Sequence, residues 1–223
     1  MINDIKNELN AMAEADYRDF SKKLIPETSL PLIGVRLPAL RAAAAEIVKR
    51  GRGDEFLREC DFSSMEMCFL YAYVLGKTRA DINTLIKYFD NAAYHVDNWS
   101  TCDILCQSFK QCRRYPAQVW EQLTDYLASG KTYYMRIAVV TMMSHYLNDE
   151  YIDRVFAALR IMMTTIIKWR LPGAPPRLWQ NTAIRPTVSL KRAALMIGLI
   201  TNRFKKCWNR AEYRMRIKRY CAP

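Results

Sequence analysis

An all-α fold, a HEAT-like helical-repeat solenoid built as a curved stack of antiparallel helix pairs, is predicted by three observations. Apolar residues recur at helical spacing through most of the first 160 positions. Only 7 glycines interrupt 223 residues rich in Ala, Leu, Met and Lys, which favours helix over sheet. The helical stretches are short, roughly 10 to 17 residues, and no strand signal separates them. Such stacks present a concave face to a long partner.

The first stretch runs from Ile2 to Leu24, and the turn-rich Pro26-Glu-Thr-Ser-Leu-Pro-Leu-Ile-Gly34 follows it. Leu37 to Arg50 is the next helix, with Pro38 in its first turn, where proline is tolerated, and Gly51 and Gly53 at its end. Ser63 or Ser64 caps a helix reaching about Leu75, with Glu66 at capping-box distance from Ser63 and Gly76 after it. Asp81 starts a helix to about Phe89, and Asp97 or Asn98 caps the one that carries Trp99 and Asp103. Pro116 opens a helix to Leu127, ended by Gly130; stretches 132–147 and 149–160 complete the series.

After Leu159 the texture changes. Four β-branched residues, Thr164-Thr-Ile-Ile167, are followed by Pro172, Pro175 and Pro176, and neither helical nor strand periodicity survives. The chain therefore divides into a helical-repeat domain over 1–159 and an irregular basic tail over 160–223. Charge divides at the same place. Residues 1–159 carry 19 basic and 21 acidic groups; residues 160–223 carry 15 basic groups against Glu212 alone. A basic tail of this kind reads as a nucleic-acid or anionic-membrane arm when it is an evolved segment.

A hydrophobic content of 51% over 223 residues suffices for one core. No run of 18 apolar residues exists, and Met1-Ile-Asn-Asp-Ile-Lys-Asn-Glu8 has no basic region followed by an apolar one, so neither a membrane span nor a secretory signal is expected. Seven cysteines in no disulfide-like or zinc-like spacing, with His95 and His145 as the only histidines, point to no metal site and to the reducing cytoplasm.

The chemistry-bearing stretch is Val96-Asp-Asn-Trp-Ser-Thr-Cys-Asp-Ile-Leu-Cys-Gln107. Trp99 and Asp103 stand four residues apart and share one ridge of a helix. An aromatic plate beside a carboxylate suits a planar, cationic ligand such as an alkylated nucleobase. The same spacing also occurs in ordinary helices, where the tryptophan is core and the aspartate a cap or a salt-bridge partner.

Three stretches together resemble the DNA alkylation repair family of HEAT-like alkylpurine DNA glycosylases (the AlkD type). They are Leu32-Ile-Gly-Val-Arg-Leu-Pro-Ala-Leu-Arg41, then Asp97-Asn-Trp-Ser-Thr-Cys-Asp103, then Tyr133-Tyr-Met-Arg-Ile-Ala-Val-Val140 with Tyr146-Leu-Asn-Asp-Glu-Tyr-Ile-Asp153. They stand in the family's order and cover most of residues 17–159. The resemblance implies an enzyme that hydrolyses the N-glycosidic bond of cationic N3- or N7-alkylpurines in double-stranded DNA, as a monomer, without cofactor and without extruding the base. It implies Asp103 as the carboxylate near the sugar, Trp99 against the lesion or its deoxyribose, and Arg136 on a DNA phosphate; the alternatives are a helix-surface aspartate, a core tryptophan and an arginine salt-bridged to an acidic neighbour. Lys110, Arg113 and Arg114 are candidate further phosphate contacts. Phe20 stands loosely where some members place a tyrosine near DNA. Arg36 and Arg41 suit helix packing or capping as readily as DNA contact. A non-catalytic helical-repeat DNA binder or scaffold on the same fold is the alternative, which a fold by itself does not exclude.

The family's next blocks, roughly Asp-Tyr-Tyr-x-Lys-Met-Ala-x-Ala-Trp and later Gln-Lys-x-Leu-Glu-Ser, are missing. They reappear when the gene is read from the third base of each codon. The junctions Met162–Met163 and Met163–Thr164 then both dictate Asp, and the next five permit Tyr, Tyr, Asn, Lys and Met. Phe204 to Asn209 gives Gln, Lys or Glu, Met or Val, Leu and Glu. Residues after about Leu159 are therefore expected to be an out-of-frame translation, and their basic charge to be a by-product of it.

Overall fold

The computed structural model describes residues 1–25 and 28–170, with side chains to Met162. Among them are ten α-helices and no strand. Helices α1 (Ile2–Ala11), α2 (Ala15–Leu24), α3 (Leu37–Lys49), α4 (Gly53–Glu59) and α5 (Met65–Leu75) are followed by α6 (Ile82–Tyr94), α7 (Trp99–Ser108), α8 (Pro116–Ala128), α9 (Thr132–His145) and α10 (Ile152–Arg170). Helices α1 to α9 lie in one compact unit, Met1–Tyr151, and α10 opens a second.

The first unit is a two-layered ladder. Helices α3, α5, α7 and α9 contact one another in series, while α4, α6 and α8 pack across them and α6 also meets α8. Consecutive helices alternate in direction, so α3, α5, α7 and α9 run parallel, as in stacked helix pairs. The apolar load falls on the shared layer. Nine residues of α5 are buried, and α9 buries an unbroken run from Ile137 to Met142. A helix apolar on every side is one enclosed by neighbours. By contrast, α2 buries none of its residues and leaves Phe20 and Leu24 exposed. Aromatic stacking of Phe89 on Phe109, centroids 4.3 Å apart, ties α6 to the end of α7. Gly76 ends α5 where a Cβ would run into the Ser108 carbonyl oxygen at the end of α7, so only glycine lets these two chain ends meet.

Two carboxylates fasten the segment before α3 across the starts of α5 and α7. Glu66 is buried and accepts the backbone N–H groups of Ile33 at 3.0 Å, Gly34 at 2.8 Å and Val35 at 3.4 Å. Asp97 accepts the backbone N–H and hydroxyl of Ser29, both at 2.8 Å, and the hydroxyl of Thr28. Burial opposes the charge on Asp97, yet the donated hydrogen bonds of Ser29, Asn98 and Thr28 outweigh it and hold its pKa below the ordinary value. Its contribution to stability is therefore present at neutral pH and lost as pH falls through that depressed value.

Four local expectations change. The stretch Ile2–Leu24 is two helices, because the Glu14 N–H leaves the helix to donate to the Gly34 carbonyl at 3.0 Å and Arg36 grips the Glu14 carboxylate with two bonds of 2.8 Å. Ser64, not Ser63, caps α5, and Glu66 faces the preceding loop instead of closing a capping box. Gly53 begins a helix, α4, rather than ending one. Helix α10 runs to Arg170, beyond the end at 160 expected for the last helical stretch. β-branched residues cost an established helix only tenths of a kcal/mol each, roughly up to 0.7, and extension needs no new nucleus. The remainder of the tail, 171–223, lies outside the described residues. No helix of the described residues is long and apolar enough to cross a membrane.

Glu66→Ala orphans three backbone N–H groups at once. It is expected to lower the unfolding free energy by about 3 kcal/mol, read from the urea midpoint, whereas an exposed-site change such as Glu59→Ala is expected to stay within about 0.5 kcal/mol.

Candidate functional site

Asn98 begins α7, and its side-chain oxygen accepts the N–H groups of Ser100 at 2.9 Å and Thr101 at 3.0 Å. This N-cap fixes which residue opens the helix, and so fixes the ridge that holds Trp99 and Asp103. Trp99 is 44% exposed, which removes the core reading of that tryptophan. Asp103, one turn on, is only 8% exposed and accepts a 3.0 Å bond from Nη2 of Arg136 on α9.

The register between α7 and α9 is held from behind this pair. Cys102 and Cys106 are fully buried with sulfurs 4.0 Å apart. The Cys106 thiol donates to the Ile137 carbonyl at 3.5 Å, and Nε2 of His145 donates to the Cys106 carbonyl at 2.8 Å. Burial pushes the Cys106 thiol well up, so it stays a protonated donor.

Electrostatics at the pair are asymmetric. Burial raises the Asp103 pKa, and the nearby Arg136 charge offsets this only in part. Burial also works against the charge on Arg136, but Cys102 and Asp103 outweigh it and raise that pKa. Arg136 spends one N–H on Asp103, while its Nε is buried and has no hydrogen-bond partner among the described residues. The result is a carboxylate more basic than usual, ion-paired to a partly exposed guanidinium, with an exposed indole one helical turn away on the carboxylate's own helix. Such a set can stabilise a developing cation, accept a proton and anchor an anion.

Lys110, Arg113 and Arg114 do not join this group. All three are exposed, on or just after the 3-10 turn Lys110–Arg113 at the far end of α7. They lie roughly 15 Å along the helix from Trp99 at 1.5 Å per residue. Phe20 is 58% exposed on α2. Arg36 serves as the clamp on Glu14 and lies over the Tyr17 ring at 4.9 Å, while Arg41 lies over the Tyr73 ring at 5.3 Å. His95 stacks on Phe62 with centroids 4.1 Å apart, and Tyr134 packs edge-on against Tyr126. A cleft of about 650 Å³ between α1 and α3, floored by Ile5, Leu9, Ala43 and Ile47, contains none of the site residues. No group of three or more metal-binding side chains converges among the described residues.

The partners of these supports are what sequence reasoning missed. Buried Cys106 and half-buried His145 carried no signal beyond their spacing, and buried Glu66 carried the signal of a capping box.

The fold and site define a class: an all-helical protein of stacked helix pairs whose shared layer brings a carboxylate and an arginine together beside an exposed tryptophan. Residues 5–165 match the family model for DNA alkylation repair enzymes, and the chain belongs to that family. No curated protein and no solved structure matches the chain.

The Asp103 carboxyl binds its proton more tightly in the folded chain than in the unfolded one. Its ionisation therefore costs stability, and that cost appears as pH rises through the raised value. In a carbon-13 NMR titration its midpoint is expected above 3.8, and higher still in Arg136→Gln, where the offsetting charge is gone. An unmoved midpoint in that variant would separate the two residues electrostatically.

Proposed function

We propose that this DNA repair protein is a glycosylase that hydrolyses the N-glycosidic bond of N3- and N7-alkylated purines in duplex DNA. The observation that carries the reading is the meeting of Asp103 with Arg136 one turn from exposed Trp99. An alkylated purine ring is cationic, so its bond to C1′ is already weakened. As that bond breaks, its electron pair goes to the base, which leaves neutral, and positive charge builds on the sugar. The Asp103 carboxylate stabilises that charge by its field and takes the proton of the water that adds to C1′. A raised pKa makes it the better proton acceptor. The Trp99 face attracts the cationic base or sugar before bond breaking. Arg136, whose side chain is 19% exposed, holds a phosphate of the damaged strand through the edge of its guanidinium not bonded to Asp103. No metal or cofactor enters these steps, and the protein acts as a monomer in the cytoplasm.

The chemistry is tested by release of N7-methylguanine from methylated duplex DNA. Asp103→Asn is expected to lower the single-turnover rate by about 10²–10³-fold while leaving duplex binding nearly intact. Equal rates in the two proteins would overturn the role given to Asp103. Duplex binding with no base release from either would favour the non-catalytic alternative.

We also propose that the residues after about Leu159 are translated out of frame. The support is the pair of forced Asp junctions at Met162–Thr164 and the Gln and Leu-Glu junctions between Phe204 and Asn209. Sequencing the DNA across codons 158–162 is expected to reveal a single-frame change after which the missing blocks are read. A gene without a compatible downstream frame would end this proposal, and a thermal midpoint for a frame-restored chain no higher than that of the present one would show that nothing structural is lost.

A further inference from the structure

Successive helices of one layer repeat the same positions in space, so residues at matching helix positions form a row across it. Asp103 is the fifth residue of α7 and Arg136 the fifth of α9. The fifth residue of α3 is Arg41. On α5 the same ridge carries Phe69 at position five and Tyr73 at position nine. These helices are aligned end to end as well as parallel. Gln111, just past α7, donates to the Leu75 carbonyl at the end of α5 at 3.2 Å, and Gly53 lies against both Val48 of α3 and Thr78 after α5. The facing direction agrees too. Tyr71 sends its hydroxyl to the Tyr88 carbonyl on α6, toward the second layer, so Tyr73, about 200° further round at 100° per residue, looks the opposite way.

Arg41 differs from the arginines around it. Arg36, Arg50, Arg52 and Arg58 each pair with a carboxylate, on Glu14, Glu46, Glu55 and Asp54. Arg41 is exposed, has no carboxylate partner among the described residues and lies over Tyr73 at 5.3 Å. Beneath it the buried Tyr73 hydroxyl meets no hydrogen-bond partner at bonding geometry among the described residues, and the Arg41 charge beside it partly offsets the effect of its burial. An arginine held flat on an aromatic face keeps its N–H edge free and loses less freedom when it meets an anion.

We propose that Arg41, held on Tyr73, is a second phosphate-binding position for duplex DNA, in the same row as Asp103 and Arg136; this rests on the DNA-repair reading above. Two helix spacings separate α3 from α7, about 16–20 Å at 8–10 Å each. That is roughly five base-pair rises of 3.4 Å, so Arg41 takes a phosphate outside the lesion itself and contributes grip rather than chemistry.

The test is anisotropy titration of an undamaged duplex of about 20 base pairs across a range of KCl concentrations. Arg41→Gln is expected to reduce the slope of log affinity against log salt by about 1. Arg41→Lys, which keeps the charge, is expected to restore that slope. Arg58→Gln, whose charge is spent on Asp54 in the other layer, is expected to leave it as in the wild type. An unchanged slope in Arg41→Gln, in a protein that binds DNA, overturns this proposal and leaves the glycosylase reading standing. A wild-type chain that binds no duplex at any salt concentration overturns both.

Discussion

One buried carboxylate organises the first third of the molecule. Glu66 gathers the N–H groups of Ile33, Gly34 and Val35, and with them fixes where the chain enters α3. A carboxylate with no cation beside it survives burial only when donors surround it, and here backbone supplies them. The consequences spread outward from Gly34. Its φ of +102° suits glycine, and a Cβ there would lie 2.6 Å from the Glu14 carbonyl oxygen. Its own carbonyl takes the Glu14 N–H, which ends α1 and permits α2. Arg36 then closes the corner on Glu14. Thus the Gly-Val-Arg stretch is first a structural corner.

The site depends on a different constraint, the register between two parallel helices. Asp103 and Arg136 are 33 residues apart in the chain and 3.0 Å apart in space. Their meeting is secured by Cys106 and His145, which join α7 to α9 through one thiol and one imidazole. Because Cys106 is fully buried and His145 half-buried, the ion pair inherits its geometry from these supports rather than creating it. Its energetic worth is modest, since burial of both partners offsets much of their attraction. What the arrangement secures is a carboxylate of raised basicity next to a partly exposed guanidinium.

This division of labour suits a protein that handles a long, rigid polyanion. Stacked helices place equivalent positions at regular intervals, so a surface built from one ridge of each can follow a duplex without a deep pocket. The cleft between α1 and α3, apart from every residue of the proposed site, fits that picture. Membership of the DNA alkylation repair family and the all-helical ladder agree with one another, and the proposed chemistry asks of the ladder only that three side chains be held still.

The helical class, the cap at Asp81, a cap at Asp97 or Asn98 and the shared ridge of Trp99 and Asp103 were legible in the sequence, because 3.6-residue periodicity, short polar caps and i, i+4 spacing are local properties. The family signature carried Arg136 as well, though not the atom it would meet. Four things were decided only in three dimensions. The division of residues 2–24 into α1 and α2 has no glycine or proline to announce it; a hydrogen bond to Gly34 made it. The turn of Glu66 away from its own helix answered three unpaired N–H groups of a distant loop. The exposure of Trp99 depends on where α7 sits in its layer, which its own spacing does not state. That Arg41 meets no carboxylate among the described residues depends on where carboxylates from other helices fall. Local sequence set the elements and their faces, because those follow from backbone hydrogen bonding and side-chain period. Partners across helices were set by packing, because an unsatisfied buried group takes the nearest donor in space, whatever its place in the chain.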